Sequence, residues 1–145
     1  MKRAGFTMIE LIFVIVILGI LSAVALPKFI GVSEQAEAGK CKSFIGTLNR
    51  TVLPALWSDM VLYNKTQATV FTGANIAAQI SAPVECRANT RAATASQDVI
   101  LGDYATAITA GTMFTVEIGE GDFNVSRLTA ASTSEAPILG WGKTN

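Results

Sequence analysis

Residues 6–26 read FTMIELIFVIVILGILSAVAL, and no other stretch has more influence on the fold of the chain. Its 21 residues include three polar side chains, those of Thr7, Glu10 and Ser22. As an α-helix it would be about 31 Å long, which matches the roughly 30 Å hydrocarbon thickness of a bilayer. Because it is apolar all round, we expect this helix to face lipid or other helices of its own kind.

The charges around this stretch predict an orientation in the membrane. Lys2 and Arg3 precede it, and Glu10 is the one charged residue between Arg3 and Lys28. The positive-inside rule then places the N-terminus in the cytoplasm and the rest of the chain outside. A carboxylate at the bilayer centre costs about 2.5–3.5 kcal/mol on insertion scales, and less near a helix end. An acidic residue at this position therefore predicts a partner for Glu10.

Two simpler interpretations compete for the apolar stretch. The first is an export signal, since Ala23, Val24 and Ala25 form an acceptable small-residue cleavage pattern. Against it, the stretch is longer than the usual apolar core of about 7–15 residues, and it contains Glu10. The second is a plain single-pass anchor, which the buried charge of Glu10 also disfavours.

The composition of the whole chain bounds its function. The chain has 145 residues, enough for one small domain. Its 11 basic and 11 acidic residues balance, so nothing in the charge favours binding to nucleic acid. It contains no histidine, the commonest general base and metal ligand. We find no nucleophile–base pair, and we expect a protein that is not an enzyme. The alternative, a membrane-anchored enzyme, would need a set of catalytic residues in the part of the chain that follows the apolar stretch.

A second helical pattern follows the apolar stretch. Pro27 is expected to end or kink the first helix. Helical periodicity then resumes and runs to about Tyr63, with a kink expected at Pro54. The apolar positions of this amphipathic stripe are Cys41, Phe44, Ile45, Leu48, Val52, Leu56 and Met60.

The sequence of the C-terminal half predicts short helices, strands and loops. We predict a short helix over residues 74–80, a loop over 88–96 and a short strand over 99–101. Strands are predicted over 113–118 and 123–128, joined by a hairpin loop at 119–122, with an edge strand over 137–141. The predicted fold class is α+β: one long N-terminal helix, apolar in its first half and amphipathic in its second, packed on a small antiparallel sheet.

Three kinds of site are suggested in the part of the chain that follows the apolar stretch. Cys41 and Cys86 would lie outside the cytoplasm, where a disulfide persists; two buried free thiols are the alternative. Acidic residues cluster around the predicted hairpin and have oxygens that suit Ca²⁺, but a solvated turn explains them better, and we expect no bound metal or other cofactor. These are Glu117, Glu120 and Asp122. Asn124 begins an Asn-x-Ser sequon with an acidic residue two positions earlier, which resembles the acceptor of bacterial N-glycosylation.

The N-terminus resembles a known family. Residues 5–11 read GFTMIEL behind the basic leader MKRA, and the similarity continues through Gly19 and Pro27. This pattern resembles the prepilin signal of type IV pilins and type II secretion pseudopilins. The resemblance implies a leader peptide at 1–5, a transmembrane and filament-core helix at 6–27, and a head at 28–145. A prepilin peptidase would cleave between Gly5 and Phe6 and N-methylate Phe6, and Glu10 would pair with the α-amino group of Phe6 on a neighbouring subunit.

The same resemblance implies a location and partners. The subunit would cross the bacterial inner membrane once, with its head in the periplasm, and then enter a filament in the periplasm or at the cell surface. Its partners would be other pilin-like subunits, the prepilin peptidase and an inner-membrane assembly platform. The short head, without a cysteine pair near the C-terminus, favours a type II secretion-like or minor subunit over a major adhesive pilin; a competence pseudopilin that handles DNA stays open. The alternative of another class is an exported binding protein that uses residues 6–25 as an export signal.

Overall fold

The computed structural model describes residues 5–90, 92, 94–119 and 121–144, without the side chains of residues 27, 28 and 30. The N-terminal half is helical: α1 spans Met8–Thr47, a π-helix spans Leu48–Val52, and α2 spans Leu53–Leu62. Then follow α3 at Gln67–Val70, α4 at Gly73–Ala77, a 3₁₀-helix at Val84–Cys86 and α5 at Gln97–Ala110. The strands are β1 at Phe114–Ile118, β2 at Gly121–Thr129 and β3 at Ile138–Lys143. The predicted α+β class is confirmed.

Helix α1 belongs to two compact units. The first unit ends at Ala36, and the second, the head, comprises Glu37–Asn145. The helix continues through Pro27, so α1 does not end there; the kink, the other outcome that we expected at Pro27, stays a prediction. Proline removes one backbone donor and crowds the preceding turn. In a helix of 40 residues the hydrogen bonds on either side outweigh that loss.

The second proline is accommodated by a widened turn. Leu53 donates its N–H to the carbonyl of Leu48, five residues earlier, which is the π-helical spacing. Pro54 follows at the start of α2, where its missing N–H and its ring would disturb a regular α-turn. The chain therefore passes Pro54 without leaving the helical path. The predicted stripe is confirmed as core, since all of its residues are buried: Cys41, Phe44, Ile45, Leu48, Val52, Leu56 and Met60.

The sheet has the predicted antiparallel order β1-β2-β3. Val116 lies opposite Phe123, and Val125 lies opposite Trp141. The predicted strands over 113–118, 123–128 and 137–141 match β1, β2 and β3. The hairpin is tighter than we predicted from 119–122, because Ile118 already pairs with Gly121.

The strand predicted over 99–101 is wrong, because these residues lie within α5. Val99, Ile100 and Leu101 suit a strand locally, but the burial of α5 follows helical spacing. Ser96 precedes the helix in an extended conformation, and Gly111 ends it with a φ of 75° in the left-handed region. The buried side chains of α5 are Ile100, Leu101, Tyr104, Ala105, Ala107 and Ile108.

Tyr104 joins α5 to the helical stripe and to the disulfide. Its ring makes edge contacts with the rings of Phe44 and Phe114, with centroids 5.4 and 4.9 Å apart. Its hydroxyl donates to the carbonyl of Cys86 at 2.6 Å, and burial raises the pKa of that hydroxyl. Cys86 is in turn bonded to Cys41; their Cα atoms are 5.3 Å apart, and the two cysteines are 45 positions apart in sequence. Closing a loop of this length contributes about 4 kcal/mol in the chain-entropy model.

Two side chains satisfy backbone groups at the ends of other elements. Asn49 of the π-helix donates to the carbonyl of Leu139 at 2.8 Å and accepts the N–H of Leu139 at 2.9 Å, as a neighbouring strand would. Arg127 of β2 donates to the carbonyls of Ile108 and Thr109, at 2.9 and 3.2 Å, at the C-terminal end of α5. These hydrogen bonds fix the position of the helices relative to the strands, which hydrophobic packing alone would leave free to shift.

The contact between α4 and α5 depends on Gly73. A Cβ at this position would meet the carbonyl of Asp98 and lie 2.8 Å from the backbone nitrogen of Gly102. Both obstacles are backbone atoms of α5, so neither can rotate away. Gly102 faces the opposite situation, because a Cβ there would have nothing within 4 Å.

We predict opposite effects for the two substitutions. Gly73→Ala should lower the free energy of unfolding by about 1–3 kcal/mol, because the helices must separate. Gly102→Ala is the matched control and should raise it by about 0.5–1 kcal/mol through helix propensity. Urea unfolding of the full chain in detergent, followed by tryptophan fluorescence, measures both. Equal stabilities for the two variants would contradict the close helix contact.

Candidate functional site

The start of α1 is closed by reciprocal hydrogen bonds between Thr7 and Glu10. The Thr7 hydroxyl accepts the backbone N–H of Glu10 at 3.4 Å. In return the Glu10 Oε2 accepts the backbone N–H of Thr7 at 3.2 Å and the Thr7 hydroxyl at 3.0 Å. Since α1 begins at Met8, Thr7 is the N-cap and Glu10 is the third helical residue, which is a capping box.

The capping role of Thr7 was not among the features predicted from the sequence. The signal was available in the pattern Thr-x-x-Glu at residues 7–10, directly before an apolar run. The box shows how Glu10 is tolerated in this helix: its carboxylate points back to the N-terminal end, where backbone donors and the helix dipole favour negative charge. The box also brings the carboxylate to Thr7, the residue that follows Phe6.

The predicted cleavage point lies just outside the helix. Gly5 and Phe6 have no helical structure, and both are exposed; the Phe6 side chain is 83% exposed. Residues 1–4 of the predicted leader lie outside the described part of the chain. The scissile bond between Gly5 and Phe6 is therefore held by no secondary structure.

The helix that follows has a fully exposed apolar surface. Between Met8 and Leu26 it is long and apolar enough to cross a membrane. Every large apolar residue in that span is at least 40% exposed, and Ile17 has the lowest exposure. Such a helix needs lipid or other helices around it, which fits a membrane anchor and equally fits close packing between copies.

The described residues of the predicted calcium and glycosylation sites lie on the sheet. Glu117 of β1 lies directly opposite Asp122 of β2, and both side chains are exposed. Among the described residues no group of three His, Cys, Asp or Glu side chains could hold a metal ion, and Glu120 lies outside those residues. Asn124 is half-buried in the central strand, and its side-chain oxygen accepts the Thr115 hydroxyl at 3.1 Å. Its glycosylation stays a prediction.

An acidic cleft of about 290 Å³ lies beside the hairpin. The Lys40 ammonium lies 3.1 Å from one Glu85 oxygen. The pKa of Glu85 is lowered by a hydrogen bond from its own backbone N–H and by Lys40. The cleft is assembled from segments far apart in sequence, so no local pattern predicts it. Its lining residues are Glu37, Glu85, Arg87, Asn89, Glu117, Ile118 and Gly119.

Comparison with known proteins matches the N-terminal segment. Residues 1–26 match the model of the prokaryotic N-terminal methylation motif. A curated protein, the type IV narrow pilus major component PilA5 of Thermus thermophilus, is 54% identical over 37 residues. That match covers 26% of this chain and 32% of the relative, so the chain spans about a third of the relative's length. No solved structure is detectably similar to the chain.

We predict that the hydroxyl of Thr7 protects the first turn of α1. Thr7→Val removes the cap and should destabilise that turn by about 1 kcal/mol, whereas Thr7→Ser keeps the hydroxyl and serves as the control. Hydrogen exchange of the backbone amides of residues 8–11 in detergent measures the effect. About fivefold faster exchange is expected in Thr7→Val. The same rates in both variants would show that the box has no role in capping.

Proposed function

We propose that this chain, whose N-terminal segment is that of the type IV pilin and pseudopilin family, is a structural subunit of a pilus or pseudopilus filament. One observation carries the proposal. The apolar surface of the helix Met8–Leu26 is exposed on every side, and the hydrogen-bonded carboxylate of Glu10 lies near its N-terminal end. In a membrane, lipid covers that surface. In a filament, the same surface of other subunits replaces the lipid, and contacts that do not close on themselves extend the assembly.

Processing by a prepilin peptidase is the first step of this proposal. The enzyme would cleave between Gly5 and Phe6 and methylate the new α-amino group of Phe6. The exposed, non-helical state of both residues supports access to this bond. Glycine on the leader side leaves room for a protease subsite that accepts a minimal side chain. Loss of Lys2 and Arg3 also removes two cations that hold the segment at the cytoplasmic face.

Glu10 has the central role in assembly. In the single chain its carboxylate is bonded to Thr7. In the proposed filament it would accept the α-amino group of Phe6 from a neighbouring subunit, which neutralises two charges in an apolar bundle. A buried pair contributes little net affinity but strongly disfavours an arrangement in which either charge is unpaired. The pair would therefore set the axial register between subunits.

The proposed location follows from the orientation of the anchor. The subunit would cross the inner membrane once, with its head in the periplasm, and an assembly platform in that membrane would move it into the filament. Its partners there are other pilin-like subunits. As the finer assignment we propose a type II secretion-like or minor subunit, on the position of its cysteine pair, Cys41 and Cys86, whose disulfide joins α1 to the 3₁₀-helix.

The mature N-terminus tests the processing step. In cells with an active prepilin peptidase, mass spectrometry should find a protein that starts at N-methylated Phe6. Deleting the peptidase should leave residues 1–5 attached. A mature protein that starts at Leu26 would instead support an export signal, and it would overturn the proposal.

Glu10→Ala tests assembly. This variant should be inserted and processed normally but should give about tenfold fewer filaments, because the neighbouring amine loses its partner. Ser22→Ala is the matched control: the Ser22 hydroxyl donates to the Leu18 carbonyl within the same helix, so its loss should leave assembly unchanged. The measurement is the ratio of subunit in sheared filaments to subunit in membranes. A normal ratio for Glu10→Ala would remove the proposed role of this residue.

A further inference from the structure

A cationic groove runs along the outer face of the helix in the head. Its volume is about 510 Å³. Most of the residues that line it lie between the residues of the buried stripe in sequence, and they face away from the core. Its charged residues are Lys42 and Arg50, both exposed and without an ion-pair partner among the described residues. We call this surface the cationic groove; its lining residues are Gly39, Lys42, Ser43, Gly46, Thr47, Arg50 and Thr51.

Nothing on the helix itself neutralises these two cations. The positions three and four residues from Lys42 or Arg50 hold no carboxylate. Helix neighbours at those spacings are the ones that form intrahelical ion pairs. The remaining lining residues have small side chains or none, so another backbone can approach the helix closely along this face.

The head also has an acidic surface of complementary charge. Glu117 and Asp122 are directly opposite in the antiparallel pair of β1 and β2, so their side chains share one face of the sheet. Like charges in that position destabilise a sheet. Neither side chain has an ion-pair partner in the part of the chain that the structure describes. We call these two residues the acidic hairpin.

We propose that the acidic hairpin of one copy of this chain docks in the cationic groove of the next copy. This contact rests on the proposed function, and it adds a head-to-head interface to the packing of the N-terminal helices. Two cations with no local partner face two anions whose juxtaposition costs stability in the isolated head, and one contact neutralises all four. Because the two surfaces are different, the contact is heterologous and repeats from subunit to subunit without closing.

Charge reversal in the full chain tests this interface. The groove variant carries Lys42→Glu and Arg50→Glu, and the hairpin variant carries Glu117→Lys and Asp122→Lys. Each should lower the filament-to-membrane ratio about fivefold, because the contact becomes repulsive. Combining all four substitutions in one chain should restore the ratio to within about twofold of the unchanged protein, since the complementarity is then inverted but intact.

The controls separate this interface from folding and from the proposed function. Glu135→Lys reverses an exposed charge outside both surfaces and should assemble normally. Each variant should reach the membrane with its Cys41–Cys86 disulfide formed, which is the measure of folding. Normal assembly of the groove and hairpin variants, or no rescue by the fourfold variant, would overturn the interface while leaving the proposed filament function intact. Failure of the unchanged protein to form filaments would contradict the proposed function itself.

Zero-length cross-linking gives an independent test. Filaments are assembled from a mixture of ¹⁴N- and ¹⁵N-labelled subunits and treated with a carbodiimide, which joins amines to carboxylates. Mass spectrometry should then find Lys42 of one isotope joined to Glu117 or Asp122 of the other. Detergent-dispersed subunits should lack this product. Its absence from filaments in which other cross-links between copies form would overturn the interface.

Discussion

The helix between Met8 and Leu26 has an apolar surface that is exposed along its whole length, and the need to cover this surface is the constraint on which the proposed assembly depends. Burial of such a surface is favourable by about 25 cal/mol per Å², so exposure to water is not a stable state for it. Lipid satisfies this need in the membrane, and identical helices satisfy it in an assembly. Between helices the gain over lipid is small and comes from packing and polar contacts. In the proposed filament, the polar group that selects one arrangement is the carboxylate of Glu10.

The capping box gives that carboxylate two successive partners in the proposed pathway. In the single chain the N–H and hydroxyl of Thr7 donate hydrogen bonds to the Glu10 carboxylate, which satisfies its oxygens without neutralising its charge. In the proposed filament a neighbouring amine replaces or joins these donors. The capping box thus initiates α1 in the single chain, and in our proposal its carboxylate also selects the register between subunits.

The head fixes the second half of the helix by specific bonds as well as by its core. The disulfide of Cys41, the ring of Tyr104 and the paired bonds of Asn49 all act on the buried face of the helix. The opposite face, with Lys42 and Arg50, makes none of these contacts and stays open. A helix that is held on one side and exposed on the other is suited to hold a second copy, which is the arrangement that the charges of the acidic hairpin complement.

Features that depend on a local periodic pattern of apolar residues could be predicted from the sequence. The apolar run predicts the membrane-length helix, the stripe from Cys41 to Met60 predicts the buried face, and the alternation after Met113 predicts the hairpin. Thr7 and Glu10 also carry a readable capping signal. Residues 99–101 do not reveal helix α5 in the sequence, because three β-branched or aliphatic residues in a row suit a strand as well as a buried helix turn.

Apart from the disulfide of Cys41 and Cys86, which the presence of two cysteines suggests, contacts between distant segments are visible in the folded chain alone. Asn49 and Leu139 are 90 residues apart, and no pattern around either residue indicates that one completes the edge of the strand that contains the other. The closeness of Gly73 to α5 and the juxtaposition of Glu37, Glu85 and Glu117 in one cleft are of the same kind. The physical reason is that periodicity reports which face of an element is buried, whereas the partner of that face is set by the packing of the whole chain.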